Sequence, residues 1–548
     1  METLRGADIV ARTLERLGVT RIFTLSGNHI MPVFDALLST GIEIVHVRHE
    51  AACVHMADAW GRLTGQTGIA LVTGGQGHTN GAAALFTALA AESPVLLLSG
   101  HAGLSELGRG AFQEMAQAEI ARPVTKASWT ATSVAALGPD LARALRLTRE
   151  GRPGPVHLSL PVDLLERSVP AASLRIPGPE AAAIRAAEPE PALVEDILRC
   201  LEAAERPLLA CGPALCDPAG RAAMAGLEEV LGLPVVGMES PRGINDPGLG
   251  AFAQVLAQAD LLVLVGKPLD FTLKFGEAPA VPADCRFAVI DPDPALIGRA
   301  PPDRLVASGR ADPRPTLAAL AARGAGLRRA GPHASRRADW HRAAREALAY
   351  RPPAWAERRG GAGRLHPVEL CRGVDAFLAG HPGGTLICDG GEIGQWPQAL
   401  VRAERRLING VSGTIGASIP FALAARMERP DAPVVAVLGD GTFGFHMAEF
   451  DTAVRYGLPF IAVVGNDARW NAEYQIQLRS YGPDRARHCD LLPARYDAAV
   501  RALGGFGALV TDAAELPDAL AAAQASGLPA CLNVMIESVP APAIRRPD

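Results

Sequence analysis

Two short acidic motifs in the last third of the chain could hold a divalent metal ion and a diphosphate group. Gly439-Asp440-Gly441 follows the apolar residues 434–438, and Asn466-Asp467 follows the apolar residues 460–464. Carboxylate oxygens suit magnesium, which completes its octahedral shell with phosphate oxygens and water. The backbone N–H groups of Gly441 and Thr442 could bind the phosphates. Standing alone, Gly-Asp-Gly could equally be a turn that ends a strand.

The elements that must position these carboxylates form a βαβ unit. Residues 434–438 and 460–464 are continuous apolar runs, which are typical of strands buried on both faces. Between them, Met447, Phe450 and Val454 recur at helical spacing. The carboxyl ends of neighbouring parallel strands meet at one edge of a sheet, so both aspartates could approach a single ion.

Together the two motifs resemble the diphosphate and Mg²⁺ signature of thiamine diphosphate (ThDP) enzymes, which usually ends in two asparagines. The resemblance implies that Asp440 and Asp467 are side-chain metal ligands and that Arg469 supplies a backbone carbonyl. It also implies that the diphosphate contacts Gly439, Gly441 and Thr442. Aspartate at position 467 adds a negative charge beside an anionic diphosphate, so we expect metal dependence or affinity to differ from the family's norm.

A second segment resembles the catalytic-glutamate region of the acetolactate synthase group. Val47-Arg48-His49-Glu50 follows an apolar stretch and precedes a helix of small residues. The resemblance implies that Glu50 hydrogen-bonds N1′ of the cofactor's aminopyrimidine ring. An isolated Glu in the first turn of a helix is more often a solvated acid. The buried-strand pattern of residues 69–72, and the glycine-rich residues 73–80 after it, favour the catalytic interpretation.

Two further residues are candidates for contact with the reacting centre. Phe112-Gln113-Glu114 resembles a segment that reaches the active site in acetolactate synthases and 2-hydroxyacyl-CoA lyases, which makes Gln113 a candidate catalytic residue. Alternatively, Phe112 is core and Gln113 a surface amide. His29, His49 and His78 could each relay protons near neutral pH, although a structural role is more common for a single histidine. We rank His78 first because it lies in a glycine loop.

The resemblance also implies contacts with the body of the cofactor. Ile415, in Gly413-Thr414-Ile415-Gly416, would be the apolar wedge between the cofactor's two rings, although an isoleucine is otherwise an ordinary core residue. Residues 389–395 follow a strand-like segment and resemble a second diphosphate-side loop. The remaining expected cofactor contacts are Gly27, Asn80, Gly391 and Gln395.

Composition bounds the class of protein. The 548 residues suffice for about three domains of ordinary size. The net charge of −5 is spread along the chain, which argues against nucleic-acid binding and against a membrane-surface patch. Apolar runs are too short to cross a bilayer, and residues 1–18 favour an amphipathic helix over a secretory signal, so we expect a cytoplasmic protein. The cysteines lack paired spacing and indicate reduced core residues.

Strand and helix signals alternate in three stretches, which predicts an α/β fold of three domains with parallel sheets flanked by helices. We expect a pyrimidine-binding domain over residues 1–167, a central nucleotide-fold-like domain over residues 190–323 and a domain binding diphosphate and Mg²⁺ over residues 364–540. In related enzymes the central domain binds FAD, an adenine nucleotide or nothing. A glycine turn after a strand is weak evidence for any nucleotide, and FAD is possible but not favoured.

These features predict a ThDP- and Mg²⁺-dependent enzyme acting on a 2-oxo acid or related acyl donor, with acetolactate-synthase-like decarboxylation and carboligation. The alternative is a lyase that resembles 2-hydroxyacyl-CoA lyase or oxalyl-CoA decarboxylase, because Glu473 replaces an apolar residue of the synthases and an acid there disfavours a second carboxylate. A catalytically silent cofactor-binding subunit is a remote alternative, which the presence of Glu50 and Gln113 argues against. An oxidoreductase would require a nicotinamide or flavin signature, which we do not find.

The expected partners are a small-molecule 2-oxo acid or acyl-CoA substrate and further copies of the same chain. The resemblance implies a homodimer or homotetramer, in which Glu50 of one subunit faces the diphosphate site of its neighbour. The sequence itself shows no interface.

Overall fold

The computed structural model describes residues 3–329 and 331–547. Three parallel sheets flanked by helices confirm the predicted α/β fold. By its internal contacts the chain divides into two compact units. The first unit runs to Arg185 and also includes Ile419–Arg429 and Ala448–Tyr456, and the second contains the rest of the chain.

The first sheet belongs to the first unit. Its central strands are mostly apolar and entirely buried, as expected for a parallel sheet covered on both faces. The strands of this part of the chain are β1 (Thr3–Arg5), β2 (Arg21–Thr24), β3 (Glu43–His46), β4 (Gly68–Val72), β5 (Val95–His101), β6 (Ala127–Thr130), β7 (Val156–Pro161) and β8 (Ser168–Pro170). The sheet order is β3-β2-β4-β5-β7-β6, and β1 pairs antiparallel with β8.

The helix that begins at Glu50 has capping residues at both ends. The helices of this stretch are α1 (Gly6–Arg16), α2 (Met31–Leu37), α3 (Glu50–Thr64), α4 (Gln76–Ala90), α5 (Gln117–Ala121), α6 (Val134–Arg149) and α7 (Val162–Glu166). At the start of α3 the His49 side chain accepts the N–H of Ala51, and Gly65 ends the helix with φ of +70°. Capping by His49 therefore places Glu50 in the first turn.

The central sheet has five parallel strands. They are β9 (Pro207–Cys211), β10 (Val235–Gly237), β11 (Leu261–Val265), β12 (Arg286–Ile290) and β13 (Leu305–Gly309), in the order β10-β9-β11-β12-β13. The helices of this stretch are α8 (Pro191–Ala203), α9 (Pro218–Leu231), α10 (Phe252–Leu256), α11 (Pro294–Ile297), α12 (Pro313–Arg323) and α13 (Ala334–Ala349). Leu193, Leu209 and Leu320 belong to the apolar core on one side of this sheet.

The third sheet repeats the connectivity of the first. Its strands are β14 (Thr385–Cys388), β15 (Arg405–Ile408), β16 (Val434–Gly439), β17 (Ile461–Asn466), β18 (Phe506–Val510) and β19 (Ala530–Met535). The order is β15-β14-β16-β17-β19-β18, which matches the first sheet strand for strand. The last helices are α14 (Pro367–Ala379), α15 (Gln395–Leu400), α16 (Ser418–Glu428), α17 (Asp440–His446), α18 (Glu449–Arg455), α19 (Asn471–Tyr481), α20 (Tyr496–Ala502) and α21 (Leu516–Ser526).

Within residues 3–329 and 331–547, none of the helices is long and apolar enough to cross a bilayer.

Candidate active site

The two carboxylates predicted to bind a metal ion lie at the ends of adjacent strands. β16 and β17 pair in parallel, with Gly439 opposite Gly465. Asp440 begins α17 directly after β16, and Asp467 directly follows β17. The two carboxyl groups are close enough that each affects the pKa of the other. The structure thus brings together two residues that are distant in sequence.

The environment of these carboxyl groups suits a cation. Asp440 is 1% exposed, and its Oδ2 atom has no hydrogen-bond partner among the described residues. Burial raises the pKa of both carboxyl groups, and the charge of Asp467 raises the pKa of Asp440 further. Two buried carboxylates repel each other unless a positive charge or a proton lies between them. Two carboxylates with one unpaired oxygen therefore fit a hard divalent ion such as Mg²⁺.

The turn that carries Asp467 is shaped by its neighbour Asn466. The buried Asn466 side chain accepts the N–H of Ala468 (3.1 Å) and donates to the carbonyl of Ala494 (3.2 Å) and to Oδ1 of Asn533 (3.0 Å). Ala468 adopts φ of +57°, in the left-handed region. Both the amide nitrogen and the amide oxygen of Asn466 therefore have partners within the protein, and the role of this side chain is to fix the turn.

Arg469 contributes its backbone to this region. Its amide N–H lies within hydrogen-bonding reach of the Asp440 carboxylate. Its guanidinium pairs with Asp490 at 2.6 Å. The side chain therefore forms its ion pair with another acid, although its positive charge still lowers the pKa of the nearby Asp467 carboxyl group.

One cavity of about 230 Å³ collects the predicted residues of the second unit. Ile415 lines it, as do the metal candidates and both glycine loops. Trp470 and Glu473 border the same cavity, in the segment predicted to select the substrate. The predicted residues that line it are Gly391, Gln395, Ile415, Gly439, Asp440, Gly441, Thr442, Asp467 and Arg469.

Glycine at position 441 lets an aromatic ring approach the metal candidates. A Cβ atom there would lie 2.7 Å from the ring of Trp470, closer than real side-chain contacts allow. Trp470 immediately precedes α19, which begins at Asn471. The turn after Asp440 and the start of α19 therefore fit together only when residue 441 has no side chain.

Asp389 joins two loops of the site, a role that the sequence did not reveal for this residue. Its buried carboxylate accepts hydrogen bonds from the N–H of Gly390 (2.7 Å), the N–H of Gly416 (2.9 Å) and Oγ of Ser418 (2.5 Å). These bonds tie the Gly390 loop to the turn that carries Ile415. A Cβ atom on Gly390 would lie 2.6 Å from Cγ2 of Ile415. An acid directly after an apolar strand and before two glycines was the available signal.

In the first unit, Glu50 is held by the asparagine that sequence analysis assigned to cofactor binding. Glu50 is partly buried at the start of α3. Nδ2 of Asn80 donates to its Oε2 atom at 3.0 Å. Its Oε1 atom would lie 3.4 Å from a Cβ atom on Gly77. One oxygen is therefore oriented by Asn80, while the other lies beside a residue without a side chain.

Gln113 lies beside residues 73–80, the segment that also contains Gly77 and Asn80. It adopts φ of +55°, and its Cβ lies 2.6 Å from the position of a Cβ on Gly75. Phe112 is 67% exposed and stacks on His29 with ring centroids 5.8 Å apart, so the alternative that Phe112 is core is wrong. Gly27 packs against Thr73, whose Cβ would lie 2.4 Å from a Cβ on the glycine. Residues 73–80 thus contact Gly27, Glu50 and Gln113.

The structure gives His78 a different environment from the one predicted. His78 is fully buried, and its Nδ1 atom pairs with Oγ of Ser99 at 2.9 Å. Its ring packs on His157, and burial lowers the pKa of His78 to about 4. Because α4 begins at Gln76, the helix turns His78 away from the side that carries Gly77 and Asn80. This placement argues against the catalytic role predicted for His78.

Comparison with known proteins places these features in a family. Family models match three stretches: "Thiamine pyrophosphate enzyme, N-terminal TPP binding domain" over residues 4–120, the central domain of the same enzymes over residues 194–320, and the C-terminal TPP binding domain over residues 389–534. The chain is also 31% identical to the acetolactate synthase large subunit IlvG of Mycobacterium tuberculosis, over 98% of this chain and 96% of that protein. The chain belongs to the thiamine pyrophosphate enzyme family.

Other relatives of this thiamine pyrophosphate enzyme have a different name. The chain is 32% identical to 2-hydroxyacyl-CoA lyase 2 of Homo sapiens, over 92% of this chain and 85% of that protein. It is 28% identical to 2-hydroxyacyl-CoA lyase of Oryza sativa subsp. japonica, over 97% of this chain and 95% of that protein. Relatives with two different reactions in their names are thus similarly distant. Membership of the family establishes the cofactor class and leaves the substrate to the residues of the site.

Proposed function

We propose that this chain is a ThDP- and Mg²⁺-dependent enzyme that cleaves and forms carbon–carbon bonds at a 2-oxo acid or a related acyl donor. Acetolactate-synthase-like decarboxylation and carboligation is our first candidate reaction. The observation that carries the proposal is the pair of carboxylates, buried Asp440 and partly buried Asp467, at the ends of adjacent strands. The same cavity contains Ile415, the candidate wedge between the cofactor's rings.

The residues of this cavity have separate tasks in the proposal. Asp440, Asp467 and the backbone carbonyl of Arg469 hold Mg²⁺, which requires oxygen ligands. The backbone N–H groups of Gly441 and Thr442 hold diphosphate oxygens. Asp389 keeps Ile415 against the Gly390 loop through hydrogen bonds from Gly390, Gly416 and Ser418. ThDP, when bound, supplies an electron sink for the cleavage of a bond next to a carbonyl carbon.

Glu50 is proposed to exchange a proton with N1′ of the aminopyrimidine ring. Asn80 donates to Oε2 of Glu50, and Oε1, which lies beside Gly77, is the oxygen proposed to face the ring. A positioned carboxyl group that donates and accepts a proton in the same place acts as a general acid–base catalyst. Gln113, beside the Gly75 turn, is proposed to contact the substrate at the reacting centre.

A specific observation favours a lyase acting on 2-hydroxyacyl-CoA as the second candidate. Glu473 lies on α19 and borders the cavity. An ionised acid near the bound donor repels the carboxylate of a second 2-oxo acid. A donor that has no free carboxylate near this position avoids that repulsion. The relative from Homo sapiens is named as such a lyase.

A substrate panel tests the proposal. Purified protein is assayed with ThDP and Mg²⁺ on 2-oxo acids and on 2-hydroxyacyl-CoAs, and Glu473→Gln serves as a matched variant. We expect turnover that requires both ThDP and Mg²⁺. Carboligation products from a 2-oxo acid support the first candidate, whereas cleavage of the acyl-CoAs alone supports the second. Lack of ThDP-dependent turnover across the whole panel contradicts both. An absorbance spectrum of the same sample tests for bound flavin.

A further inference from the structure

The Gly74-Gly75 turn, which precedes α4, is held by contacts with other segments of the first unit. Gly75 adopts φ of +60° and ψ of −111°, a conformation essentially restricted to glycine. A Cβ atom on Gly74 would lie 2.8 Å from the carbonyl oxygen of Gly100, and one on Gly75 would lie 2.6 Å from Cβ of Gln113. The turn is therefore packed between the end of β5 and the Gln113 loop. Any movement of this turn moves Gln113 and the first residues of α4.

One buried side chain binds this turn on its inner side. Gln117, the first residue of α5, is 1% exposed. Its Oε1 atom accepts the N–H of Gly75 at 2.8 Å. Its Nε2 atom donates to the carbonyl of Gly100 and to Oγ of Ser159, both at 3.0 Å. Both amide hydrogens of Gln117 and one lone pair of its Oε1 atom are thus used in hydrogen bonds. If this amide were flipped, its NH₂ group would face the N–H of Gly75, and two donors would oppose each other.

A chain of hydrogen bonds continues from Gln117 through Ser159, His157 and Ser128, and each residue donates to the next. Oγ of Ser128 donates to the carbonyl of Ala118 at 2.8 Å, so it accepts a hydrogen bond from Nδ1 of His157 at 2.8 Å. Nε2 of His157 then accepts the hydroxyl hydrogen of Ser159 at 3.3 Å. The Ser159 oxygen in turn accepts from Nε2 of Gln117. The chain of bonds begins at Gln117 and returns to the adjacent residue Ala118, with His157 as the neutral Nδ1–H tautomer.

This closed chain fixes the orientation of the Gln117 amide. A neutral His157 is required for it, and burial lowers the pKa of His157 well below its usual value. Buried polar groups that are all satisfied hold a single arrangement, because every alternative leaves a donor or an acceptor unpaired. The Oε1 atom of Gln117 is therefore directed at Gly75.

We propose that Gln117 is a positioning residue for the catalytic side of the first unit. It holds the Gly74-Gly75 turn and thereby sets Gln113 on one side of the turn. On the other side it sets the first turns of α4, from which Asn80 orients Glu50. The inference rests on the proposed function of Glu50 and Gln113. Gln117 itself touches no reacting atom in this account.

The test replaces Gln117 by a residue of similar shape that cannot hydrogen-bond. Gln117→Met leaves the buried N–H of Gly75 without an acceptor, and Gln66→Met, at an exposed position, is the matched control. In the protein without cofactor, we expect amide hydrogen exchange in residues 74–80 to accelerate about 5- to 100-fold. Exchange in α14 of the second unit should stay unchanged. Mass spectrometry of the corresponding peptides measures both.

The second readout separates positioning from a general loss of structure. We expect the turnover number of Gln117→Met to fall about 10- to 100-fold, because small displacements of catalytic groups are costly. ThDP affinity should change less than about threefold, since the predicted metal and diphosphate ligands lie in the other unit. Unchanged exchange in residues 74–80 overturns the inference. Accelerated exchange with normal turnover overturns it as well.

A milder variant keeps the test decisive if Gln117→Met does not fold. Ser159→Ala removes one partner of the Gln117 amide and leaves its bond to Gly75. We therefore expect faster exchange in residues 74–80 and a lower turnover number, both by smaller factors than in Gln117→Met. No effect of Ser159→Ala on exchange in residues 74–80 counts against the hydrogen-bonded chain. If the unmodified protein lacks ThDP-dependent turnover, the proposed function fails, and the exchange measurement still decides whether Gln117 holds the turn.

Discussion

Three carboxylates of the candidate site differ in the partners that the protein gives them. Asp389 accepts three short hydrogen bonds and is satisfied by the protein itself. Asp440 keeps an oxygen without a partner among the described residues. Glu50 is oriented by one donor from Asn80 and is only partly buried. These differences agree with a structural role for Asp389 and with the roles proposed above for the other two, metal binding by Asp440 and proton exchange by Glu50.

The role of Glu50 is tested by truncation. We expect Glu50→Ala to bind ThDP normally and to lose turnover by about 100- to 10,000-fold, because the general acid–base group is removed and the metal ligands are not. Steady-state kinetics and calorimetric titration of ThDP measure the two effects. Glu43→Ala, on an exposed position of β3, is the control. Turnover within about twofold of the unmodified protein would sink the assignment.

For single residues, the sequence predicts the chemistry of a side chain better than the direction in which the side chain points. Asp440 and Asp467 could be paired in advance because each follows an apolar run, and such runs end at the same edge of a parallel sheet. His78 could not be placed correctly, because residues 73–80 were read as a loop and α4 begins within them. The partners of Asp389 lie some distance along the chain, at Gly416 and Ser418, so its role required the structure.

Among the elements, the turn from β16 into α17 is closely packed against the residue that precedes α19. Gly441 lies in the first turn of α17 and faces the ring of Trp470. Gly444 lies in the same helix, and a Cβ atom there would meet nothing within 4 Å. The two glycines therefore separate the effect of crowding from the effect of helix propensity.

A pair of alanine substitutions tests this turn. In Gly441→Ala the new methyl group must displace Trp470 or the turn, which costs about 1–3 kcal/mol. We expect ThDP affinity to fall roughly 5- to 150-fold in the presence of Mg²⁺. Gly444→Ala should keep its affinity and gain up to about 1 kcal/mol of unfolding free energy, because alanine favours helix. If the two variants bind ThDP with equal affinity, crowding between residue 441 and Trp470 has no effect on cofactor binding.

The elements themselves were predictable where burial dominates. The apolar run at residues 434–438 is observed as the strand Val434–Gly439, and the run at residues 460–464 as the strand Ile461–Asn466. Apolar residues on both faces leave few alternatives to a buried strand. The helical spacing of Met447, Phe450 and Val454 predicted one helix, whereas the structure has α17 and α18 with Met447 between them. Periodicity alone does not show such an interruption.

On the scale of the whole molecule, the first and third sheets have the same strand order. Each presents its candidate residues after the carboxyl ends of its strands, as ligand sites in parallel sheets do. Glu50 and Asn80 belong to the first unit, and the cavity with Asp440 belongs to the second. The family resemblance implies that the two halves of an active site come from different subunits.

Mixing two inactive variants tests this subunit arrangement. Glu50→Gln and Asp440→Asn are unfolded together and refolded, or co-expressed with different tags. Random pairing makes half of the dimers mixed, and each mixed dimer has one intact site, so we expect about a quarter of the normal activity. Refolding each variant alone is the control. Absence of activity in purified mixed dimers would place both residues of a site in one subunit.

The central claim, that Asp440 and Asp467 form a metal and diphosphate site, is tested most directly by calorimetric titration of ThDP into Asp440→Ala. The unmodified protein should bind ThDP only when Mg²⁺ is present. Asp440→Ala removes the carboxylate whose oxygen has no partner among the described residues, and we expect it to lose Mg²⁺-dependent binding while remaining folded. Binding of ThDP by Asp440→Ala with unchanged affinity and unchanged Mg²⁺ dependence would contradict the account.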